Sequence, residues 1–331
     1  MAALGADWVA VIPFAFTRDD APRVRFNDPG QYWGERTEGV RAIVRLAHRR
    51  GLHVMFKPQL WVARRGWAGD FAPEGQAGWK TWEDGYAAYI VHFARLAESL
   101  GVEMLCVGTE VDRTVRRRPA FWRDLIRQVR LVYDGPLTYA ANRDDYEELG
   151  VWDDLDYLGV DAYFPLSEAG TPQAAELKSA WTPLIERLAA FSRRYGKPIL
   201  FTEFGYRPVD GAAGPQWKLP PERGPDSPAP NPEGQAQAYE ALFRAVRSRP
   251  WFAGGFAWKW RLGADGARGR SGMGYSPQGR SAEAVIRRWY VSGSTSRPEI
   301  VGLGPPSEAP REPPEGGSGW RSDSGSASDR R

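Results

Sequence analysis

The strongest constraint in this sequence is its rhythm: short, nearly continuous apolar runs alternate with longer stretches of helical period. The runs at 8–14, 53–58, 103–109, 137–141, 157–162, 199–202 and 253–258 have the length and composition of parallel strands covered on both faces. Amphipathic stretches at 38–50, 83–100, 120–133, 181–195, 235–249 and 281–290 predict helices. Gly51, Gly101 and Gly196 each follow such a stretch where a left-handed cap is wanted. Alternation of this kind predicts an α/β chain with a parallel sheet, and its extent favours a (β/α)8 TIM barrel over an open sheet. With 331 residues, 42% of them hydrophobic, the chain can bury one such core.

Only seven strands are legible, whereas a closed barrel of this type has eight. Residues 1–4 followed by Gly5 read as the last turn of a helix and its cap, so the strand lacking is the first. An unpaired gap exposes two strand edges, so the expected explanation is a true start upstream of Met1. The expected organisation is a barrel over 1–292, truncated at its N-terminus, and a disordered Ser/Gly/Pro-rich tail over 293–331. A Pro/Gly-rich stretch at 207–232 follows the run at 199–202 and is expected to wall a cleft.

Composition removes several function classes. A net charge of +3 without a basic stripe argues against nucleic acid as the partner. Three scattered histidines (His48, His53 and His92) do not make a metal-hydrolase cluster, and neither a metal nor another cofactor is expected. With Cys106 alone, no intrachain disulfide can form. No run is apolar enough to cross a membrane, and 1–5 lacks signal-peptide architecture. Localisation and oligomeric state stay open, with export expected if a signal peptide lies upstream. The 15 tryptophans suit sugar stacking as well as core packing.

Barrel chemistry sits at the C-terminal ends of strands. Two strand endings there are isolated glutamates, Cys106-Val-Gly-Thr-Glu110 and Leu200-Phe-Thr-Glu203. One such carboxylate is as readily a structural acid paired with a nearby base; two on one barrel face favour chemistry. They end the third and sixth legible strands, hence the fourth and seventh of a complete barrel.

That placement is similar to the clan A glycoside hydrolases. Together with Gly159-Val-Asp-Ala-Tyr-Phe-Pro165, Phe201-Thr-Glu-Phe-Gly-Tyr206, Gly255-Phe-Ala-Trp-Lys-Trp260, the Lys57-Pro-Gln-Leu-Trp61 turn and Leu4-Gly-Ala-Asp-Trp-Val-Ala-Val-Ile-Pro-Phe14, the chain resembles glycoside hydrolase family 113 over roughly residues 4–290. That family is known for β-mannanases. The resemblance implies a retaining hydrolase of β-1,4-mannan, with Glu203 as nucleophile, Glu110 as acid/base and an oligo- or polysaccharide as partner. It further implies that Tyr163 donates to the nucleophile and that Trp258 forms the floor beneath the cleaved sugar. Lys57, Gln59 and Trp61 are expected along the glycone side, and Asn142 at sugar hydroxyls. Thr109 stands where the clan usually has the asparagine that contacts the 2-hydroxyl. Tyr206, Trp217 and Trp260 are further cleft candidates, and Trp67, Trp79 and Trp82 form either a distal stacking platform or a local core. Two other readings remain: a related β-glycosidase or transglycosylase on another β-glycan, and a catalytically weak carbohydrate-binding relic.

Overall fold

The computed structural model describes residues 1–63, 67–219, 229–260 and 274–291. Its strands are β1 (Trp8–Val11), β2 (Phe14–Arg18), β3 (Ala21–Phe26), β4 (His53–Phe56), β5 (Gln59–Ala63), β6 (Met104–Thr109), β7 (Leu137–Asn142), β8 (Leu158–Asp161), β9 (Ile199–Phe204) and β10 (Phe252–Ala257). The helices are α1 (Thr37–Arg49), α2 (Gly75–Leu100), α3 (Asp112–Arg117), α4 (Pro119–Arg130), α5 (Ala174–Tyr195), α6 (Pro232–Val246) and α7 (Ser281–Val291). Seven strands form one parallel sheet in the order β1-β4-β6-β7-β8-β9-β10, and every expected strand run contributes to it. The sheet is a nearly closed barrel clad in helices. Between β7 and β8 the connection is made by two short 3-10 turns, Tyr146–Glu148 and Trp152–Asp154. The tail expected at 293–331 and part of the expected cleft wall, 220–228, lie outside the described residues.

The gap falls where the sequence puts it. Among the described residues no ladder joins β1 to β10, the two ends of the sheet. Strands β6 to β9 are buried along their whole length, whereas β10 is half-buried at every position and β1 at three of four. Within the barrel, Met55, Met104, Tyr157 and Leu200 form a small buried cluster. Trp8 and Phe256 pack on it from either side of the gap, their rings edge to face at 6.5 Å.

The run at 8–14 is two strands, not one. Pro13 and Pro58 lack the N–H that a ladder needs, and they interrupt the first two barrel strands at equivalent places. The chain continues past each proline without losing register. Val11 lies opposite Phe56 in the barrel, and Phe14 opposite Gln59 beyond it. The continuations β2 and β5, joined by the antiparallel β3, build a three-stranded side sheet above the barrel rim.

Two helices start earlier than their periodicity implies. Helix α2 begins at Gly75 and includes Trp79 and Trp82, both buried; Trp82 stacks on Tyr86 at 4.8 Å. These two tryptophans are therefore core and not a sugar platform. Helix α5 begins at Ala174, with Pro183 in its interior masking the earlier turns. Gly101 and Gly196 close α2 and α5 in the left-handed conformation that the sequence asks of them.

Candidate active site

The C-terminal ends of the strands bring six of the expected side chains to one mouth. Lys57 follows β4, Glu110 follows β6, and Asn142 is the last residue of β7. Tyr163 lies two residues past β8, Glu203 within β9, and Trp258 directly after β10. The Trp258 backbone N–H donates to the Phe204 carbonyl at 2.7 Å, tying this rim residue to the strand that carries Glu203. Gly205 permits that approach, because a Cβ there would stand 2.3 Å from the Trp258 carbonyl oxygen.

Glu203 is buried, and both its carboxylate oxygens are occupied. One takes the ammonium of Lys57; the other accepts from the Tyr163 hydroxyl at 2.7 Å. Lys57 is wholly buried, and its ammonium also lies 3.6 Å from Asp161 Oδ2. Burial works against the Lys57 charge, but Asp161 and Glu203 more than offset it and raise its pKa above the ordinary lysine value. Asp161 accepts a 2.8 Å hydrogen bond from Thr202. Its pKa is held well above the aspartate range, by burial first and then by the charge of Glu203. One lysine thus serves two buried carboxylates.

Glu110 has a different environment. It is half-buried, and its backbone adopts φ +46°, a left-handed conformation unusual outside glycine, asparagine and aspartate. Its carboxylate accepts from Asn142 Nδ2 at 2.8 Å and from Trp67 Nε1 at 3.2 Å, both neutral donors. Burial and then the charge of Glu203 raise its pKa; Lys57, Asn142 and Trp67 counter this only in part. The two glutamates are therefore unlike: one is clamped by a cation and a phenol, the other keeps its proton to higher pH than an ordinary glutamate.

Other expected residues fall into two groups. Gln59 and Trp61 alternate with buried Leu60 and Val62, so they share the outer face of β5, where Trp61 is 57% exposed. Trp217 is 55% exposed, with the Arg143 guanidinium 3.7 Å over its ring, and Trp260 is half-buried. Thr109 and Tyr206 are not brought to the cleft. Thr109 is buried and gives its hydroxyl to the Pro58 carbonyl at 3.0 Å, bracing the corner next to Lys57. Tyr206 is buried edge-on against Tyr239.

Sequence reasoning passed over Trp67 as a partner of Glu110, as well as Asp112, Tyr139, Arg143 and Asp161. An acid inside an otherwise apolar strand, as at Asp161, was the signal available. Asp112 gave none, because an acid opening a helix reads as an ordinary surface residue. Among the described residues no group of three or more His, Cys, Asp or Glu could hold a metal ion, and no helix is long and apolar enough to cross a membrane.

The sequence profile of Glycoside Hydrolase Family 113 matches residues 1–278. Among solved structures, the chain is similar to a family 113 β-mannanase from Alicyclobacillus acidocaldarius in complex with ManMIm. The identity is 26% and the TM-score 0.76, covering 88% of this chain and 91% of that one. A second complex, of a family 113 β-1,4-mannanase, gives 26% identity and a TM-score of 0.75 over 88% of this chain and 90% of the other. A β-glucuronidase from Ruminococcus gnavus shares the fold alone, at 16% identity and a TM-score of 0.57 over 87% of this chain and 44% of that one. No curated protein matches the sequence.

Proposed function

We propose that this chain, which belongs to glycoside hydrolase family 113, cleaves β-1,4-mannosidic linkages by double displacement with retention of anomeric configuration. The observation that carries the mechanism is the unlike setting of its two rim glutamates. A retaining glycosidase needs one carboxylate to attack carbon and one carboxylic acid to protonate the leaving oxygen, ~5–5.5 Å apart. Glu203, met by Lys57 and Tyr163, suits the first task. Glu110, with its raised pKa, suits the second.

A Glu203 oxygen bonds to the anomeric carbon while the glycosidic C–O bond breaks and Glu110 gives its proton to the departing oxygen. Glu110, now an anion, takes a proton from water, whose oxygen attacks the same carbon and releases Glu203. Trp258 supplies an apolar face beneath the sugar. Asn142, already bonded to Glu110, is within reach of a hydroxyl next to the cleaved bond, and Gln59 with Trp61 extends the binding surface along the side sheet. Mannan as the substrate rests on the β-1,4-mannanases to which the chain is similar.

The test is to follow β-1,4-manno-oligosaccharide cleavage by proton NMR and read the first anomer released. The β anomer is expected first, with the α anomer growing in by mutarotation; an α anomer first means single displacement and ends the proposal. Cleavage of gluco- or xylo-oligosaccharides with mannan untouched leaves the mechanism standing and removes the substrate.

A further inference from the structure

Behind Glu110 lies a buried carboxylate that double displacement does not use. Asp112 is fully buried, and among the described residues no cation pairs with it. A buried acid without a counter-ion costs stability, so its presence calls for a local reason. Its contacts supply one. Asp112 Oδ1 accepts from the Tyr139 hydroxyl at 2.6 Å, and Oδ2 accepts from the Asn142 backbone N–H at 3.1 Å. The Tyr139 oxygen in turn accepts from the Val111 N–H at 2.9 Å, the peptide that directly follows Glu110. Asn142, on its other side, donates its amide to Glu110. Residue 110 is thus enclosed in a ring of hydrogen bonds that closes on Asp112 from both ends.

The ring surrounds a strained position of the site. A left-handed glutamate costs free energy and persists only where its surroundings over-determine it. The Glu110 N–H is fixed by the Ala140 carbonyl at 2.8 Å, and the next N–H is fixed by Tyr139. Both anchors are on β7, and Asp112 orients the second by accepting the hydrogen bond of the tyrosine hydroxyl.

We propose that Asp112 is a positioning residue for Glu110: acting through Tyr139 and Asn142, it holds the acid in its left-handed pose. The inference rests on the acid/base reading of Glu110. Burial pushes Asp112 itself up to about 7, with the Tyr139 hydrogen bond opposing and Glu110 reinforcing the rise. The other charged or titratable groups facing this pair are Lys57, Glu203, Asp161, Arg143, Asp145 and Tyr139. Of these, Lys57 favours loss of the Glu110 proton and Glu203 opposes it.

The experiment compares the full chain with Asp112→Asn and Tyr139→Phe. Each is assayed on a manno-oligosaccharide and on an aryl mannoside with an activated leaving group, and Glu110 is titrated by its 13C carboxyl resonance, assigned with Glu110→Gln. Asp112→Asn removes the charge and sets an amide against the Asn142 N–H. Its kcat on the oligosaccharide is expected to fall roughly ten-fold or more, with the aryl substrate affected far less, as for an impaired general acid. The Glu110 titration and the basic limb of the pH profile both move to higher pH, because the Asn142 hydrogen bond that lowers the Glu110 pKa is loosened. Tyr139→Phe leaves the Asn142 contact in place and loosens only the backbone pose, so it shows the leaving-group dependence with a smaller titration shift. Equal losses on both substrates with an unmoved Glu110 titration overturn the proposal and make Asp112 merely structural. An enzyme that cuts no β-mannoside, but whose Glu110 titration still moves in Asp112→Asn, fails the functional reading and leaves this one intact.

Discussion

Glu203→Ala is expected to abolish turnover, by on the order of 10^4-fold or more, while the barrel stays folded. The fold should survive because Lys57 is not orphaned by the change: Asp161 remains 3.6 Å from its ammonium. On the proposed mechanism, what is lost is the atom that attacks. Azide can enter the vacated space and attack the anomeric carbon from the same side, giving an α-mannosyl azide from an activated β-mannoside. Glu110→Ala behaves differently. It still forms the glycosyl-enzyme from activated substrates, and azide then displaces Glu203 from the opposite face to give the β-azide. Product NMR separates the two. Exchange of the two azides between the variants means the roles are exchanged, and normal hydrolysis by Glu203→Ala removes it from the chemistry altogether.

Lys57→Met is expected to be nearly as damaging, and in stability as well as rate. Methionine fills much of the volume but leaves Asp161 and Glu203 facing each other with no cation between them. Breaking a buried ion pair by removing one partner costs about 3–5 kcal/mol, which lowers Tm by roughly 5–8 °C in a domain of this size. The loss depends on pH, and its sign follows from Asp161. Its folded pKa already lies above the unfolded value, so its ionisation works against the native state as pH rises. Without the lysine that penalty grows. The Tm deficit should therefore be smaller at pH 5 than at pH 8, and kcat should fall at least about 100-fold. A variant with the native Tm at both pH values and an unchanged kcat shows that the ammonium serves neither purpose.

The lysine also shows where sequence reasoning stopped. The strand–helix rhythm located all seven barrel strands and the place of the gap, because burial on both faces leaves a plain apolar signature. Strand endings then led to Glu110 and Glu203. The direction of Lys57 was not legible. At the end of a strand it reads as a cleft residue, whereas in the fold it is buried against Glu203 and Asp161. The side sheet was hidden for a related reason: the two prolines break the pattern, and β3 is mostly exposed and carries little apolar signal. Thr109 was placed by analogy with an asparagine that contacts sugar, but its shorter hydroxyl finds a backbone carbonyl first. The ring through Asp112 is a matter of three-dimensional closure between β6 and β7, for which no spacing along the chain gives a sign.

Among the described residues the sheet is open between β1 and β10, and that edge sets the order in which this chain comes apart. Strand β10 ends the sheet, is half-buried throughout, and pairs with β9 through two register shifts. Only this strand stands between the opening and the strand that carries Glu203, whereas β1 and β4 both shield the one that leads to Glu110. Partial opening begins where few neighbours oppose it. On warming, amide hydrogens of β10 and then β9 should exchange with solvent before those of β6 to β8, and activity should fail while most of the helical signal persists. For this chain, loss of catalysis is then expected as an early, local fraying event rather than a report of global melting, at a temperature below the one at which it unfolds.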